Sequence, residues 1–290
     1  MEAVHLIGAS GRSGGALARA LQAQGTPVVP VVRDPSRWSG VTPRVADLRD
    51  PAALRTALAD ARRIVSCAHA RHTASILAAA PADAMFVLLG STRKFTRWPD
   101  EHGRGVLAGE TAWLASGRRG VMLHPTMIYG AQGEDNVQRL SRLLRRLPVV
   151  PLPGGGATRI QPIHQTDVTR CVLAALAIDW AGPETLVIAG PEPVTYADFV
   201  RAVAHAAGLR PPRLVSAPAP LLMAAAALTR LIPGVPTIRP AEIRRLLEDK
   251  TFDIAPMTAR LGVRPIGLAE GLATTFRILS EKRPRLAATA

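Results

Sequence analysis

Three glycines near the start of the chain, Gly8, Gly11 and Gly14, have a spacing that suits the binding of an anion. They follow a short apolar run, which predicts a buried strand, and they precede apolar residues at helical spacing, which predict a helix. Glycine at such a junction allows a tight turn and a close approach of the backbone to a ligand, and the first turn of the helix offers free N–H groups. The pattern therefore predicts a loop that binds a pyrophosphate, with Ser10 and Arg12 as further contacts.

Spaced as G-x-x-G-x-x-G, these glycines resemble the cofactor loop of the short-chain dehydrogenase/reductase superfamily, in its extended and atypical branches. Other segments resemble the same superfamily, and they are residues 45–50, 124–130, 151–168, 248–254 and 261–265. The resemblance covers nearly the whole chain and is closest to NAD(P)-binding epimerase/dehydratase-like proteins, among them the accessory subunit of respiratory complex I. It implies a nicotinamide cofactor.

Fold and domain organisation follow from the same likeness and from the alternation of strand and helix patterns up to residue 130. They predict an α/β fold, a doubly wound parallel sheet of the Rossmann type with a smaller, discontinuous, mostly helical C-terminal substrate domain. The expected boundaries are 1–130 plus about 166–190 for the NAD(P)-binding domain, and 131–165 plus 191–285 for the small domain.

Charged residues at the end of the second predicted strand bear on the choice of cofactor. An acidic residue there binds the ribose hydroxyls of NAD, whereas an arginine accommodates the 2′-phosphate of NADP. Arg33 takes this place, with Arg12 and Arg37 near it in the sequence, which favours NADP while leaving NAD open. The alternative is a solvated basic loop in which Asp34 binds the ribose.

The resemblance implies further cofactor contacts at three places. They are Asp47 and Leu48 beside the adenine, Cys67 and Ala68 at the end of the fourth strand, and Pro125 and Thr126 in the loop that passes over the nicotinamide. His69 and His72 follow the fourth strand at a spacing that would suit a metal, but no third ligand lies nearby. We therefore expect them to cap a helix or to face the cofactor, and we expect no metal.

Catalytic residues are implied at the end of the fifth strand. In extended members of the superfamily a serine or threonine there polarises the substrate, and Thr92, preceded by Ser91, takes that place. The superfamily then uses Tyr-x-x-x-Lys, in which the tyrosine is the general acid or base. This chain has two tyrosines, Tyr129 and Tyr196, and the residues four positions later are a glycine and a valine. The pair is absent from the sequence.

A histidine offers a substitute for the missing tyrosine. If Glu110 continues the motif as Tyr-x-x-x-Lys-x-x-x-Glu, His102 stands at the tyrosine position and Val106 at the lysine position. Histidine moves protons near neutral pH, but valine cannot replace an ammonium group. The alternative is that His102 is a surface residue of the loop 98–103.

Substrate contacts are implied by the segments 124–130 and 151–168. The expected residues are His124, where relatives have arginine, Tyr129, His164, and Arg159, which corresponds to the arginine that binds a diphosphate in nucleotide-sugar members. A small molecule, substrate or effector, is therefore expected beside the nicotinamide.

Composition limits the partners. The formal net charge is +14, but nearly all the cations are arginine and no basic cluster alternates with aromatic residues, so we expect no nucleic acid. Two cysteines make no disulfide framework. We expect a cytoplasmic protein with neither a signal peptide nor a transmembrane segment, since the apolar stretch 221–232 is too short to span a bilayer. Peripheral association with a membrane and the oligomeric state stay open.

Two classes of function remain at this point. The first is an NADP-dependent oxidoreductase or epimerase that acts without the tyrosine and lysine. The second is a non-catalytic NAD(P)H-binding sensor or an assembly or accessory protein. The fold alone does not decide between them.

Overall fold

The computed structural model describes residues 2–131, 135–228 and 239–281. These residues form two compact units. The first takes the described residues of Met1–Thr126, Gln165–Ala189 and Asp253–Arg264, and the second takes those of Met127–His164, Gly190–Phe252 and Pro265–Ala290. Strands and helices are numbered below in chain order through both units.

A seven-stranded sheet, parallel throughout, is the centre of the first unit. From edge to edge its strands are β3 (Arg44–Val45), β2 (Val28–Val32), β1 (Val4–Ile7), β4 (Arg63–Ser66), β5 (Met85–Leu89), β6 (Gly120–Pro125) and β11 (Pro183–Ile188). Chain order reverses between β1 and β4, and a sheet of this kind binds ligands at the carboxyl ends of its strands near that point. The predicted doubly wound Rossmann fold is confirmed.

Helices of the first unit are α1 (Arg12–Ala23), α2 (Pro51–Leu58), α3 (Thr73–Ala79), α4 (Glu101–Ala115), α6 (Gln165–Leu176) and α10 (Ala255–Leu261). Their starts follow local rules. Asp50 caps α2 by accepting from the backbone N–H groups of Ala52 and Ala53, and Pro51 opens the helix. Asp100 caps α4 by accepting from the N–H of Gly103 at 2.8 Å.

Apolar residues of the sheet and of α2 to α4 form the core of this unit. Phe86 and Trp113 pack with their ring centroids 5.9 Å apart. The indole N–H of Trp113 is satisfied by the carbonyl oxygen of Glu184 at 2.8 Å, which ties α4 to β11. This packing joins α4 to the sheet near the amino-terminal ends of β5 and β11.

The second unit contains paired short strands and helices. Its strands are β7 (Ile128–Tyr129), β8 (Val149–Pro153), β9 (Arg159–Ile160), β10 (Ile163–His164), β12 (Val194–Thr195) and β13 (Arg213–Ala217). Its helices are α5 (Asn136–Leu144), α7 (Tyr196–Ala206), α8 (Ala219–Leu228), α9 (Pro240–Arg245) and α11 (Leu268–Glu281). Strand β7 pairs with β10, β8 with β13 and β9 with β12.

Two segments depart from the division expected from the sequence. Residues 127–130 were expected in the NAD(P)-binding domain, but they belong to the second unit, where β7 pairs with β10. Residues 253–264 were expected in the small domain, but helix α10 packs on β11 of the first unit. Arg260 explains the attachment, because its guanidinium pairs with the carboxylate of Glu184 at 2.6 Å and lies over the ring of Trp180. No local pattern in the sequence predicts that residues 253–264 return to the first unit.

Among the described residues, no helix combines the length and the apolar character that crossing a membrane requires.

Candidate functional site

The glycine loop between β1 and α1 is built by close backbone contacts. Gly8 has a φ of +77°, and a Cβ there would lie 3.2 Å from the backbone nitrogen of Ala68. A Cβ on Gly14 would overlap the carbonyl group of Gly8, so that helix α1 can approach the strand only without a side chain. Gly11 precedes the helix, whose first turn has neither a side-chain cap nor an acidic residue. The helix N-terminus is thus suited to an anionic ligand.

A cavity of about 580 Å³ opens at this loop, at the carboxyl ends of β1, β2 and β4. Eight of the residues expected to contact a cofactor line it, namely Gly8, Ser10, Gly11, Arg33, Asp47, Leu48, Cys67 and Ala68. The remaining walls include the apolar residues Ile7, Val31, Val32 and Ala46. A largely apolar pocket with a few charged groups at its rim suits a nucleotide.

The other five expected cofactor residues do not line this cavity. Arg12 and Gly14 lie in the first turn of α1, and Gly14 packs against the backbone of Gly8. Arg37 is exposed at the end of the short turn Pro35–Arg37. Pro125 ends β6, and Thr126 follows it with its N–H donating to the carbonyl oxygen of Ile188 at 3.0 Å.

Cationic residues that the sequence did not single out complete the cavity wall. Arg49 and Arg71 line it together with Arg33. Arg49 holds Asp47 through two guanidinium bonds of 3.1 and 2.7 Å and one backbone bond of 2.9 Å. These bonds, the side-chain ones first, keep the pKa of Asp47 far below its usual value. Asp47 is therefore already paired with Arg49, and Arg71 pairs with the carboxylate of Glu101 at 2.7 Å. Among the described residues, Arg33 is the lining arginine that makes no ion pair with a carboxylate.

Asp34 lies outside the cavity lining. Its carboxylate accepts from the hydroxyl of Ser36 at 2.6 Å and from the N–H of the same residue at 3.0 Å. These two bonds lower the pKa of Asp34, the hydroxyl bond most strongly. The side chain thus has a local role as the cap of the Pro35–Arg37 turn.

His69 and His72, which line the cavity, lie on a short turn after β4. The Nδ1 of His69 accepts from the N–H of Arg71 at 3.0 Å, so His69 caps this turn and also faces the cofactor cavity. Burial, and then the charge of His102, lowers the pKa of His69 to about 4, and its Nε2 is buried without a hydrogen-bond partner. A neutral His69 whose Nδ1 accepts carries its proton on Nε2. Within the described residues, no group of three or more histidine, cysteine, aspartate or glutamate side chains is arranged to hold a metal ion.

His102 occupies the first turn of α4 and not a loop. Its ring packs edge-on against the ring of His69 at 4.3 Å between centroids. Two glycines on α4 allow the helix to lie close to the turn after β4. A Cβ on Gly105 would come within 2.9 Å of the ring of His69, and a Cβ on Gly109 would overlap the carbonyl group of Ala70. Of the two alternatives for His102, the surface loop 98–103 is wrong, because Asp100 is the N-cap of a helix that begins at Glu101.

Ser91 and Thr92 follow β5, at the carboxyl edge of the sheet. The hydroxyl of Thr92 donates to the carbonyl oxygen of Pro125 at 3.2 Å, and Thr92 is buried. The oxygen of Ser91 accepts from the N–H of Arg93 at 3.2 Å, which leaves its hydroxyl hydrogen for another acceptor. Of the two side chains, Ser91 is therefore the better placed to donate to a ligand.

His124 was expected to contact a substrate, but it is buried and makes hydrogen bonds within the protein. Its side chain is 1% exposed, and its Nδ1 accepts from the N–H of Ser91 at 3.2 Å. Its Nε2 lies 3.2 Å from a carboxylate oxygen of Glu110 and 3.4 Å from the Nζ of Lys94. Burial, and next the charge of Lys94, lowers the pKa of His124 to about 4, so the neutral ring donates from Nε2 to Glu110. With both nitrogens engaged, this placement does not support a substrate contact.

Lys94 and Glu110 form an ion pair beside that histidine, with side chains 9% and 12% exposed. Lys94 is not among the residues expected from the sequence. One signal could have pointed to it, since it is the only lysine in the first 249 residues of a chain rich in arginine. The three side chains, here called the Lys94 cluster, join the turn after β5 to α4 and β6.

The other residues expected at a substrate lie in the second unit. The hydroxyl of Tyr129 packs against Gly271, so closely that a Cβ on this glycine would overlap it. The rings of Tyr129 and His164 have centroids 5.2 Å apart. The Nε2 of His164 is 3.3 Å from the hydroxyl of Thr275, and all three polar side chains are buried. Arg159 is exposed, and its backbone N–H donates to the carboxylate of Asp249 at 2.7 Å. Their contact with a substrate stays a prediction.

Comparison with known proteins supports the assignment of the cavity. Residues 8–98 match a family described as NAD(P)H-binding. A ceramide reductase of Caulobacter vibrioides (strain NA1000 / CB15N) is 29% identical over 245 residues, which are 78% of this chain and 76% of that protein.

Solved structures share the fold over nearly the whole chain. MoeE5 in complex with UDP-glucuronic acid and NAD has a TM-score of 0.73 at 20% identity, covering 97% of this chain and 99% of its own. UDP-glucuronic acid 4-epimerase from Bacillus cereus, also in complex with UDP-glucuronic acid and NAD, has a TM-score of 0.71 at 16% identity with the same coverage.

Residues 8–98 therefore match an NAD(P)H-binding domain, and the chain has the fold of MoeE5 and of the UDP-glucuronic acid 4-epimerase. The resemblance expected from the glycine motif is confirmed at this level. A nicotinamide cofactor is confirmed as well, whereas NADP as the preferred form stays a prediction.

Proposed function

We propose that the chain is an NADP(H)-dependent reductase of a carbonyl substrate that works without the tyrosine and lysine of its superfamily. The observation that carries the cofactor part is Arg33, which follows the carboxyl end of β2 and lines the cavity, whereas the two other lining arginines, Arg49 and Arg71, are paired with Asp47 and Glu101. Asp47 is paired with Arg49, and Asp34 caps its own turn. No carboxylate among these residues is free to compete with a 2′-phosphate.

The reductive direction rests on the relative from Caulobacter vibrioides, which is named a ceramide reductase. A nicotinamide cofactor supplies a hydride when it is bound. This chain would then have to orient the carbonyl and supply a proton. Ser91 is the proposed donor to the carbonyl oxygen, because its hydroxyl hydrogen is not used within the protein, while Thr92 first has to release the carbonyl group of Pro125.

His102 and His69 are the proposed source of the proton. Their rings are in contact, and His69 is one of the residues that line the cavity. The low pKa of His69 makes it a poor proton store at neutral pH, so we expect slow turnover. A pair of this kind replaces only the proton transfer, which is typically worth ~10²–10⁴-fold in rate.

A second candidate function is an NADPH-binding protein without turnover, acting as a sensor or as an accessory component. The observation that favours it is Val106, which takes the lysine position of the motif and is 1% exposed in the apolar core. Nothing at that position reaches a cofactor.

Oxidation of NADPH, followed with a long-chain aliphatic ketone and with a UDP-sugar as alternative substrates, tests the reductase proposal. We expect slow oxidation that falls about 10-fold or more in Ser91→Ala and in His102→Ala. Thr96→Ala is the matched control, because it removes a hydroxyl from the same loop as Ser91. Binding of NADPH without oxidation of any substrate would favour the second candidate, and turnover that neither substitution changes would contradict the proposed roles.

A further inference from the structure

Helix α8 (Ala219–Leu228) is unusual because it has no polar side chain. Its sequence is APLLMAAAAL, so no face of it is suited to water. Leu221 is 66% exposed, the largest value among the big apolar side chains of the described residues. Ala224 and Ala225 are exposed as well, whereas Ala226 is buried against the unit.

Arginines outnumber acidic residues in the sequence around this helix, and two of them are exposed at the neighbouring helix α9. Between Phe199 and Leu247 the chain has seven arginines and one acidic residue, Glu242. Helix α9 packs against α8, and both Arg239, which precedes α9, and Arg244 within it are exposed. Leu247 adds a second large apolar side chain, 40% exposed, just after α9.

Exposed apolar residues next to arginines suit one kind of surface in particular. The headgroup region of an anionic bilayer accepts apolar side chains at its boundary and attracts arginine by charge. At ten residues α8 is ~15 Å long, about half of the hydrocarbon thickness, so it would lie in the surface and not cross it. A second copy of the chain is less suitable, because two such basic surfaces repel each other.

We propose that α8, with the arginines at α9, docks the second unit on the surface of an anionic membrane. This interaction does not depend on the cofactor cavity, whose lining residues all belong to the first unit. It would place the chain beside substrates that reside in lipid.

Flotation of the full chain with lipid vesicles tests the proposal. Vesicles of phosphatidylcholine alone are compared with vesicles of equal parts phosphatidylcholine and phosphatidylglycerol. We expect binding to the anionic vesicles and a loss of about tenfold or more in Leu221→Glu. Arg239→Gln and Arg244→Gln should each weaken binding about fivefold. Added salt should weaken binding of the unsubstituted chain.

Leu107→Glu is the matched control, since Leu107 is a 44% exposed leucine on α4 of the first unit. It should bind vesicles like the unsubstituted chain, and each variant is checked for NADPH binding to show that it is folded. Absence of binding to anionic vesicles, or an equal loss in Leu221→Glu and Leu107→Glu, would overturn the proposal. Self-association without lipid that Leu221→Glu abolishes would assign the surface to a second copy instead. Failure of NADPH binding in the unsubstituted chain would count against the proposed function and not against docking.

Discussion

Two neighbouring regions at the carboxyl ends of the strands use polar residues in opposite ways. At β1, β2 and β4, glycine backbone and cations surround a cavity of about 580 Å³. At β5 and β6, by contrast, the polar side chains bind one another, and Lys94, Glu110 and His124 form a buried cluster under the turn that carries Ser91. The first region leaves Arg33 and the backbone of the glycine loop at an open cavity, whereas the second region buries its charged groups against one another.

This comparison explains how the chain can keep its cofactor region while losing the usual catalytic pair. The glycine loop depends on backbone geometry, which three residues determine. The region that would perform chemistry depends on single side chains, and its most polar members now stabilise the turn after β5. The predictions below test whether the two regions differ as described.

Removal of the ammonium group from the Lys94 cluster should have the largest effect. Lys94→Met leaves the carboxylate of Glu110 buried beside a neutral histidine, and breaking a buried ion pair typically costs about 3–5 kcal/mol of folding free energy. Urea denaturation measures this loss of folding free energy. The control is Arg201→Met, which breaks the exposed pair with Asp198 and should cost at most about 1 kcal/mol. Equal costs in the two variants would show that the cluster is not a buried support.

A methyl group on one glycine of the loop should come next. Gly14→Ala places a Cβ into the carbonyl group of Gly8, and we expect a loss of about 1–3 kcal/mol in stability together with weaker NADPH binding. Gly15→Ala, one residue later in the same helix, brings its Cβ only to 3.5 Å from the carbonyl oxygen of Ala9. It should be neutral or stabilising, because alanine favours helix. Calorimetric melting and NADPH titration compare the two, and similar behaviour would contradict the backbone account.

Acid should weaken the region at β5 and β6 through His124. Its pKa is lowered from 6.5 to about 4 in the folded chain, so the unfolded chain binds the proton more readily. Stability is therefore complete above about pH 6.5 and is lost as the pH falls toward 4, by about 2 kcal/mol at pH 5 from this residue alone. Urea denaturation at pH 7.5 and pH 5 measures the loss, and NMR titration of the imidazole assigns it. A His124 that titrates near 6.5 in the folded chain would be incompatible with the cluster.

Substitution of Asp34 should have the smallest effect on the cofactor. Because its carboxylate caps a local turn outside the cavity, Asp34→Ala should leave the affinities for NADPH and for NADH within about twofold of the original values. Fluorescence titration with both cofactors is sufficient. A selective loss of NADH affinity would instead show that Asp34 binds the ribose.

Features that rest on local patterns could be predicted from the sequence. The glycine loop and the strands up to β6 follow from apolar periodicity and from the glycine spacing. The eight cavity residues follow from the glycine loop, from the carboxyl ends of the second and fourth strands and, for Asp47 and Leu48, from the family resemblance. The start of α4 was missed, although Asp100 followed three residues later by Gly103 is a cap that pattern rules describe.

Features that depend on residues far apart in the chain were not predictable. Lys94, Glu110 and His124 come from three elements, and no spacing in the sequence joins them. Arg71 reaches the cavity through the turn after β4. Residues 253–264 return to the first unit, where Met257 and Leu261 are buried and Arg260 pairs with Glu184. Each of these requires tertiary packing, which apolar periodicity does not encode.

The most direct test of the central claim, that the basic cavity selects NADP(H), is calorimetric titration of NADPH and NADH into the unsubstituted chain, Arg33→Ala and Arg37→Ala. Both arginines follow β2, but only Arg33 lines the cavity. A charge-assisted contact with the 2′-phosphate is worth about 1.5–3 kcal/mol, so Arg33→Ala should weaken NADPH binding roughly 10- to 100-fold and leave NADH nearly unchanged. Arg37→Ala should change neither affinity. An unchanged ratio of the two affinities in Arg33→Ala would contradict the account.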